Sequence, residues 1–152
     1  MARIEPGKVT VRLLRSEDFN DIVELDRMIT GTTRSLYYER KMRTVLDDST
    51  HAVSSLAAEV DGKLVGFLMA HVHDGEFGVP ETLAILDTVG VNPEMQRLGV
   101  ARVLFDEFCT NMRAIGVGRL RTLVDWNSLD LIRFFHSMGF APVPVLSLER
   151  KL

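Results

Sequence analysis

A single cysteine, Cys109, stands in 152 residues, so no internal disulfide can form. Its helical neighbours Phe105, Phe108 and Met112 mark it as a small packed hydrophobe, and no histidine is readable nearby to activate it as a thiol. Long apolar runs are missing as well. No stretch approaches the roughly 20 uncharged residues of a membrane span. The opening Met1-Ala2-Arg3-Ile4-Glu5-Pro6-Gly7-Lys8 has no apolar core of a secretory signal, so the expectation is a cytoplasmic protein without a membrane partner. Nor is there an excess of one charge: the net value is −3, which gives no reason to expect nucleic-acid binding. The one basic cluster, Arg34, Arg40, Lys41 and Arg43, alternates with Tyr37, Tyr38 and Glu39 and reads as a solvated helix face. With 46% apolar and 26% charged residues, and no repeat or linker, positions 1–152 are expected to form one domain with its own core.

Periodicity fills that domain with alternating elements. Val9 to Leu14 alternates as a strand; Ser16 opens a helix whose apolar stripe is Phe19, Ile22, Val23 and Leu25. Thr30-Gly31-Thr32-Thr33 breaks it before a second helix over Arg34 to Leu46. Strands are expected from His51 to Val60 and Leu64 to His73, joined by the hairpin signal Asp61-Gly62. After a Gly/Pro loop, Asp74 to Pro80, a fourth strand runs from Thr82 to Val91. A helix from Gly99 to Ile115 buries Val100, Val103, Leu104, Phe108 and Met112, and Gly116 and Gly118 stop it. A fifth strand, Arg119 to Asp125, a helix, Ser128 to Met138, and one or two short strands in 140–152 complete the order β-α-α-β-β-β-α-β-α-β. This is an α/β fold with a mixed sheet and helices on both faces.

The stretch Val89-Gly90-Val91-Asn92-Pro93-Glu94-Met95-Gln96-Arg97-Leu98-Gly99-Val100-Ala101 carries the most chemistry. A strand ends, a glycine loop follows, and a helix begins whose first amides point together at the positive end of its dipole, a ready site for phosphate. The spacing Gln96-x-x-Gly99-x-Ala101 resembles the acyl-CoA pyrophosphate loop of the GNAT N-acetyltransferase superfamily. A second match is Thr122-Leu123-Val124-Asp125-Trp126-Asn127 leading to Phe134-Phe135-His136-Ser137-Met138-Gly139-Phe140, which looks like the family's fifth strand and closing helix. Bland readings stand beside these: Gly99 packing a helix against a strand, Asn127 capping one.

The resemblance implies a V-shaped splay between strands 4 and 5. There the backbone of Val89, Gly90 and Val91 would pair with a pantetheine arm, and an amide at Val89 would meet the thioester oxyanion. It implies that Leu98, Gly99, Val100, Ala101 and Arg102 hold the pyrophosphate with Gln96. Arg97 and Arg102 either add charge or are solvated, and Asn127 either reaches the pantetheine or caps. Acetyl-CoA is then the co-substrate, and a small-molecule amine, a protein N-terminus or a lysine the acceptor. A homodimer through the C-terminal strands follows from the resemblance alone.

One departure matters. Four residues before Gly139, where many members carry the tyrosine that protonates the departing thiolate, this chain has Phe135. That role is vacant or falls to a water or another side chain; Tyr37 or Tyr38 on the second helix is such a candidate, with Tyr38 the one named and core packing or a surface position the alternative. For the base, Asp87 interrupts an apolar run, Leu83 to Val89, and by strict alternation shares a face with Val89 and Val91; pairing with an arginine or capping a loop is the alternative. Glu81 is the second candidate. His71 and His73 share a face and are relays or structural, with no third ligand for a metal. The acids of 74–81, if beside the acceptor, favour a cationic amine. Against amine acetylation by direct attack stand a non-catalytic acyl-CoA-binding or sensing module and an unrelated nucleotide-binding domain, the latter without a Walker lysine.

Overall fold

The computed structural model describes residues 8–47, 54–95 and 98–152. Five strands form one sheet in sequence order: β1 (Thr10–Leu13), β2 (Leu56–Val60), β3 (Lys63–His73), β4 (Leu83–Val91) and β5 (Leu120–Arg121). The first four pair antiparallel and β4–β5 is parallel. The hairpin between β2 and β3 turns through Asp61 and Gly62, both at positive φ (+52° and +76°), the conformation that a two-residue turn of matching twist demands.

Helices α1 (Phe19–Thr30) and α2 (Ser35–Asp47) cover one face of the sheet; α3 (Val100–Ala114) and α4 (Leu129–Ser137) lie on the other. Under α1 and α2 the core is Ile22, Leu25, Tyr38, Met42 and Val45 against Ala57, Phe67 and Met69. Under α3 it is Val100, Leu104, Phe105, Phe108 and Met112, with Phe135 of α4, against Leu56, Leu68, Ala84, Leu86 and Val91. Gly31 ends α1 in the left-handed region at φ +76°, its amide donating to Arg27 O at 2.8 Å. Ser16 begins not α1 but a short 3-10 turn, Ser16–Asp18.

Two expectations fail at the C-terminal side. The fifth strand shrinks from 119–125 to two residues, and 140–152 forms no strand. Val143, Val145, Leu146 and Leu148 in that segment are exposed, and it pairs with no strand among the described residues. The early part of the strand expected from His51 lies outside the described residues; the described strand starts at Leu56. No helix among the described residues is long and apolar enough to cross a membrane.

Candidate active site

The parallel ladder of β4 with β5 consists of Ala84–Leu120 and Ile85–Arg121 and then stops. Thr122 Oγ1 still donates to Leu86 O at 2.8 Å. Past that bond, up to Gly90, no strand runs beside this edge of β4 among the described residues. The opening is a splay, and its backbone groups are a template for an extended amide-bearing ligand.

A bulge adjusts β4 at the same level. Neighbouring Met69 and Ala70 of β3 face Thr88 and Leu86, so Asp87 is the inserted residue. Ala84 and Leu86 before it, and Val89 and Val91 after it, all pack on the α3 side. Asp87 and Thr88 turn instead toward α2. The alternation that put Asp87 on the face of Val89 and Val91 is therefore broken by one residue.

Asp87 is not alone in an apolar wall either. Its Oδ2 accepts from Lys41 Nζ at 2.6 Å and lies 3.4 Å from His71 Nδ1; its Oδ1 accepts from Thr88 Oγ1 at 2.8 Å. Because Thr88 gives its only hydroxyl proton to Asp87, the 3.1 Å contact between Tyr37 and Thr88 runs from the Tyr37 hydroxyl to Thr88 Oγ1. Tyr37 is partly exposed, stacked edge-on to Tyr38 at 5.0 Å, with the Arg34 guanidinium 5.5 Å and the Lys41 ammonium 5.9 Å from its ring centre.

A cavity of about 240 Å³ opens between these groups and the splay; Tyr37, Asp87, Thr88, Val89, Thr122 and Phe135 are among its lining residues. Outside it, between α2 and β3, an apolar groove shares Tyr37 and Asp87 and is edged by Arg40, Lys41 and His71.

Tyr38, the acid candidate, is fully buried, and its hydroxyl donates to Asp26 Oδ1 at 2.8 Å. Burial and then Asp26 push its phenol well above the ordinary range, so it keeps its proton. Asp26 also accepts from Arg34 Nε at 2.8 Å. Burial alone would push the Asp26 carboxyl up, but these two donors hold it below its ordinary value. Glu81 pairs with Arg119 and lies 3.8 Å from Arg121, away from the cavity. Glu76 stands 3.3 Å from His73, so two of the loop acids have partners other than an acceptor. Burial pushes the Cys109 thiol up, away from the reactive thiolate.

The N-terminus of α3 lies beyond the splay. Gly99 caps it at φ +88°, and a Cβ built there would meet no atom of the described residues within 4 Å, its chain neighbours aside. Val103 makes the first intrahelical bond, to Gly99 O at 3.1 Å, so the amides of Val100, Ala101 and Arg102 precede the ladder. Open space in front of oriented amides fits a phosphate group. The Leu98 amide is already committed to Met95 O at 3.2 Å. The Arg102 guanidinium reaches back to Ser137 O at 3.3 Å, tying α3 to α4. Gln96 and Arg97 lie outside the described residues. Ser128, not Asn127, is the residue before α4; Asn127 is exposed, its amide bonded to Asp125 Oδ1 at 2.9 Å. Among the described residues no three His, Cys, Asp or Glu side chains gather as a metal site.

Sequence reasoning missed Asp26, Lys41 and Thr88. The signal for the first two was the spacing Arg34, Tyr37, Tyr38, Lys41, which is one helix face and not a solvated scatter. Nothing local announced Thr88.

A sheet parting above a glycine-capped helix, with helices on both faces, defines the α/β class of this fold. The Acetyltransferase (GNAT) family matches residues 18–140, and the chain belongs to that family. A mycothiol acetyltransferase of Thermomonospora curvata is 34% identical over 83 residues, 55% of this chain and 26% of the relative, so the chain spans about a quarter of that protein. Among solved structures, the aminoglycoside N-acetyltransferase AAC(6')-Iy in complex with CoA superposes with a TM-score of 0.77 at 15% identity, over 94% of each chain. A ribosomal-protein-alanine N-acetyltransferase from Brucella melitensis biovar Abortus 2308 gives 0.71 at 19%, over 95% of this chain and 99% of that one. At these identities the two structures establish the fold.

Proposed function

We propose that this protein moves an acetyl group from acetyl-CoA to a primary amine by direct attack within a ternary complex. The observation that carries the reading is the two-rung β4–β5 ladder, which stops at Ile85–Arg121 and opens onto a cavity holding Asp87, Val89 and Tyr37. CoA in the structure of the aminoglycoside enzyme supports the donor.

Val89, Gly90 and Val91 offer backbone groups to the pantetheine arm, and Val89 N–H is the donor for the thioester oxyanion, an effect of about 3 kcal/mol. The amides of Val100, Ala101 and Arg102, in front of Gly99, receive the pyrophosphate. Gln96, Arg97, Leu98 and Asn127 are placed beside it by resemblance. Acetyl-CoA supplies an activated acyl group; the chain supplies the amides that hold it and the carboxylate of Asp87 that takes the amine's proton. Cys109, on α3 and packed against the core, has its thiol pushed up by burial, which favours direct attack over an acyl-enzyme formed on it. The acceptor enters along the groove between α2 and β3. A small-molecule amine, a protein N-terminus and a lysine all fit that chemistry.

The exposed apolar residues of 140–152 extend the reading to a homodimer in which this segment lies against a second copy. Phe135 favours one rival, a module that binds acyl-CoA without transferring the acyl group.

Calorimetric titration with acetyl-CoA tests the donor site. Micromolar affinity in the unsubstituted protein and its loss in Gly99→Glu are expected; equal affinity in both removes the loop from the site. Amine-dependent thiol release in a single turnover removes the non-catalytic rival.

A further inference from the structure

Phe135 has no proton to give where α4 lines the cavity, yet the cavity is not without a donor. Its lining includes Tyr37, whose hydroxyl donates to Thr88 Oγ1 at 3.1 Å, and Thr88 in turn donates to Asp87 Oδ1 at 2.8 Å. Three groups on two elements are thus linked in one directed row. The row exists because the bulge at Asp87 sends two consecutive β4 side chains to the α2 side.

We infer that Tyr37, Thr88 and Asp87 form a closed proton circuit that joins the base and acid halves of the transfer, with Tyr37 on α2 as the acid. This rests on the acetyl-transfer reading above. The balance is internal. As the N–C bond forms and the C–S bond breaks, the proton leaving nitrogen goes to the Asp87 carboxylate and the sulfur takes the phenolic proton of Tyr37. The row then reverses: Asp87 donates to Thr88 Oγ1, Thr88 donates to the Tyr37 oxygen, and both ends return to their starting state. For an amine that attacks in its neutral form the row balances without solvent; an acceptor that arrives as an ammonium first gives one proton to water.

The surroundings suit each end. Tyr38, one residue away, cannot serve, because its hydroxyl is buried on Asp26. The Arg34 and Lys41 cations stand beside the Tyr37 ring, where negative charge develops after the proton departs. Lys41 and His71 both face Asp87 Oδ2, which leaves Oδ1 as the oxygen connected to Thr88. Thr88 is a positioning residue: it touches neither reacting atom and acts through its two neighbours.

The experiment uses the full chain with acetyl-CoA and an amine panel. Thr88→Val keeps the side-chain shape and removes the hydroxyl; Thr88→Ser restores it. Tyr37→Phe, Thr88→Val and Asp87→Asn should each slow thiol release, by about 10²- to 10⁴-fold where a full acid or base contribution is lost. Thr88→Ser should stay near the unsubstituted rate. Tyr37→Phe combined with Thr88→Val should cost no more than one of them, since the groups act as a unit. Acetyl-CoA affinity by calorimetry should be retained in Thr88→Val, which a merely structural role would not guarantee. The Tyr37→Phe and Thr88→Val deficits should also shrink with an acetyl thioester of a more acidic thiol, which leaves without a proton. Unsubstituted speed in Thr88→Val, or a deficit of equal size with both thioesters, overturns the circuit alone. Absence of acetyl-CoA binding by the unsubstituted protein overturns the acetyl-transfer reading with it.

Discussion

Tyr37 and Tyr38 are adjacent in the chain and opposite in environment, and helix geometry decides which does what. A step of one residue turns the side chain by about 100°. Tyr38 is carried to the sheet, where it meets Phe67 edge-on at 5.8 Å and bonds Asp26, while Tyr37 stays at the cavity rim. Composition gave both tyrosines; only the register of α2 distinguishes them. The trio of buried Asp26 and Tyr38 with the exposed Arg34 has a consequence for stability. The Asp26 carboxyl is held low in the folded state, as is Asp18, where burial pushing up is outweighed by Arg12 and the Arg15 amide. A depressed carboxyl stabilises the fold above its unfolded value, near 3.8, and that contribution disappears as pH falls below it. The denaturant midpoint should therefore drop between about pH 5 and pH 3, and Asp26→Asn should flatten that drop. Tyr38→Phe should cost about 1–3 kcal/mol at neutral pH by leaving a buried acceptor short of a donor.

At the scale of elements, the helices were legible to within a few residues, because apolar spacing and punctuating glycines act locally. The antiparallel strands were legible for the same reason. The bulge was not: it depends on how β4 meets β3, and it reversed the face assigned to Asp87 while leaving its identity as the interrupting carboxylate intact. β5 was overestimated because Leu123 and Val124 have strand character but no neighbour with which to pair. Gly90 shows another non-local cause. Read as a cofactor contact, it also answers to packing, since a Cβ there would stand 2.7 Å from Phe67 Cε1 and 3.2 Å from Ile29 Cδ1. Gly90→Ala should destabilise the fold by about 1–3 kcal/mol through overpacking. The smaller ring site of Phe67→Leu should recover much of that loss in thermal melts.

For the whole molecule, two cores press on opposite faces of one sheet, and the segment after α4 takes part in neither beyond Phe140. Its exposed Val143, Val145, Leu146 and Leu148 recur with Leu123 and Trp126 as apolar surface near the C-terminal side of the chain. Sedimentation velocity should report a dimer at micromolar concentration, and replacing Val145, Leu146 and Leu148 with serine should yield a monomer. A monomeric unsubstituted chain removes the second copy from the reading. The sequence could suggest this only through family likeness, because a strand without an internal partner looks the same, residue by residue, as one that has it.

The short seam between β4 and β5 has a mechanical implication. A sheet normally resists being parted because its rungs break together; here β5 meets β4 through two rungs, the Ala84 amide on Arg119 O and one threonine bond, while helix packing holds the rest. A donor molecule seated in the seam would act as a splint, joining two strand edges that the sheet itself leaves unlaced beyond Thr122.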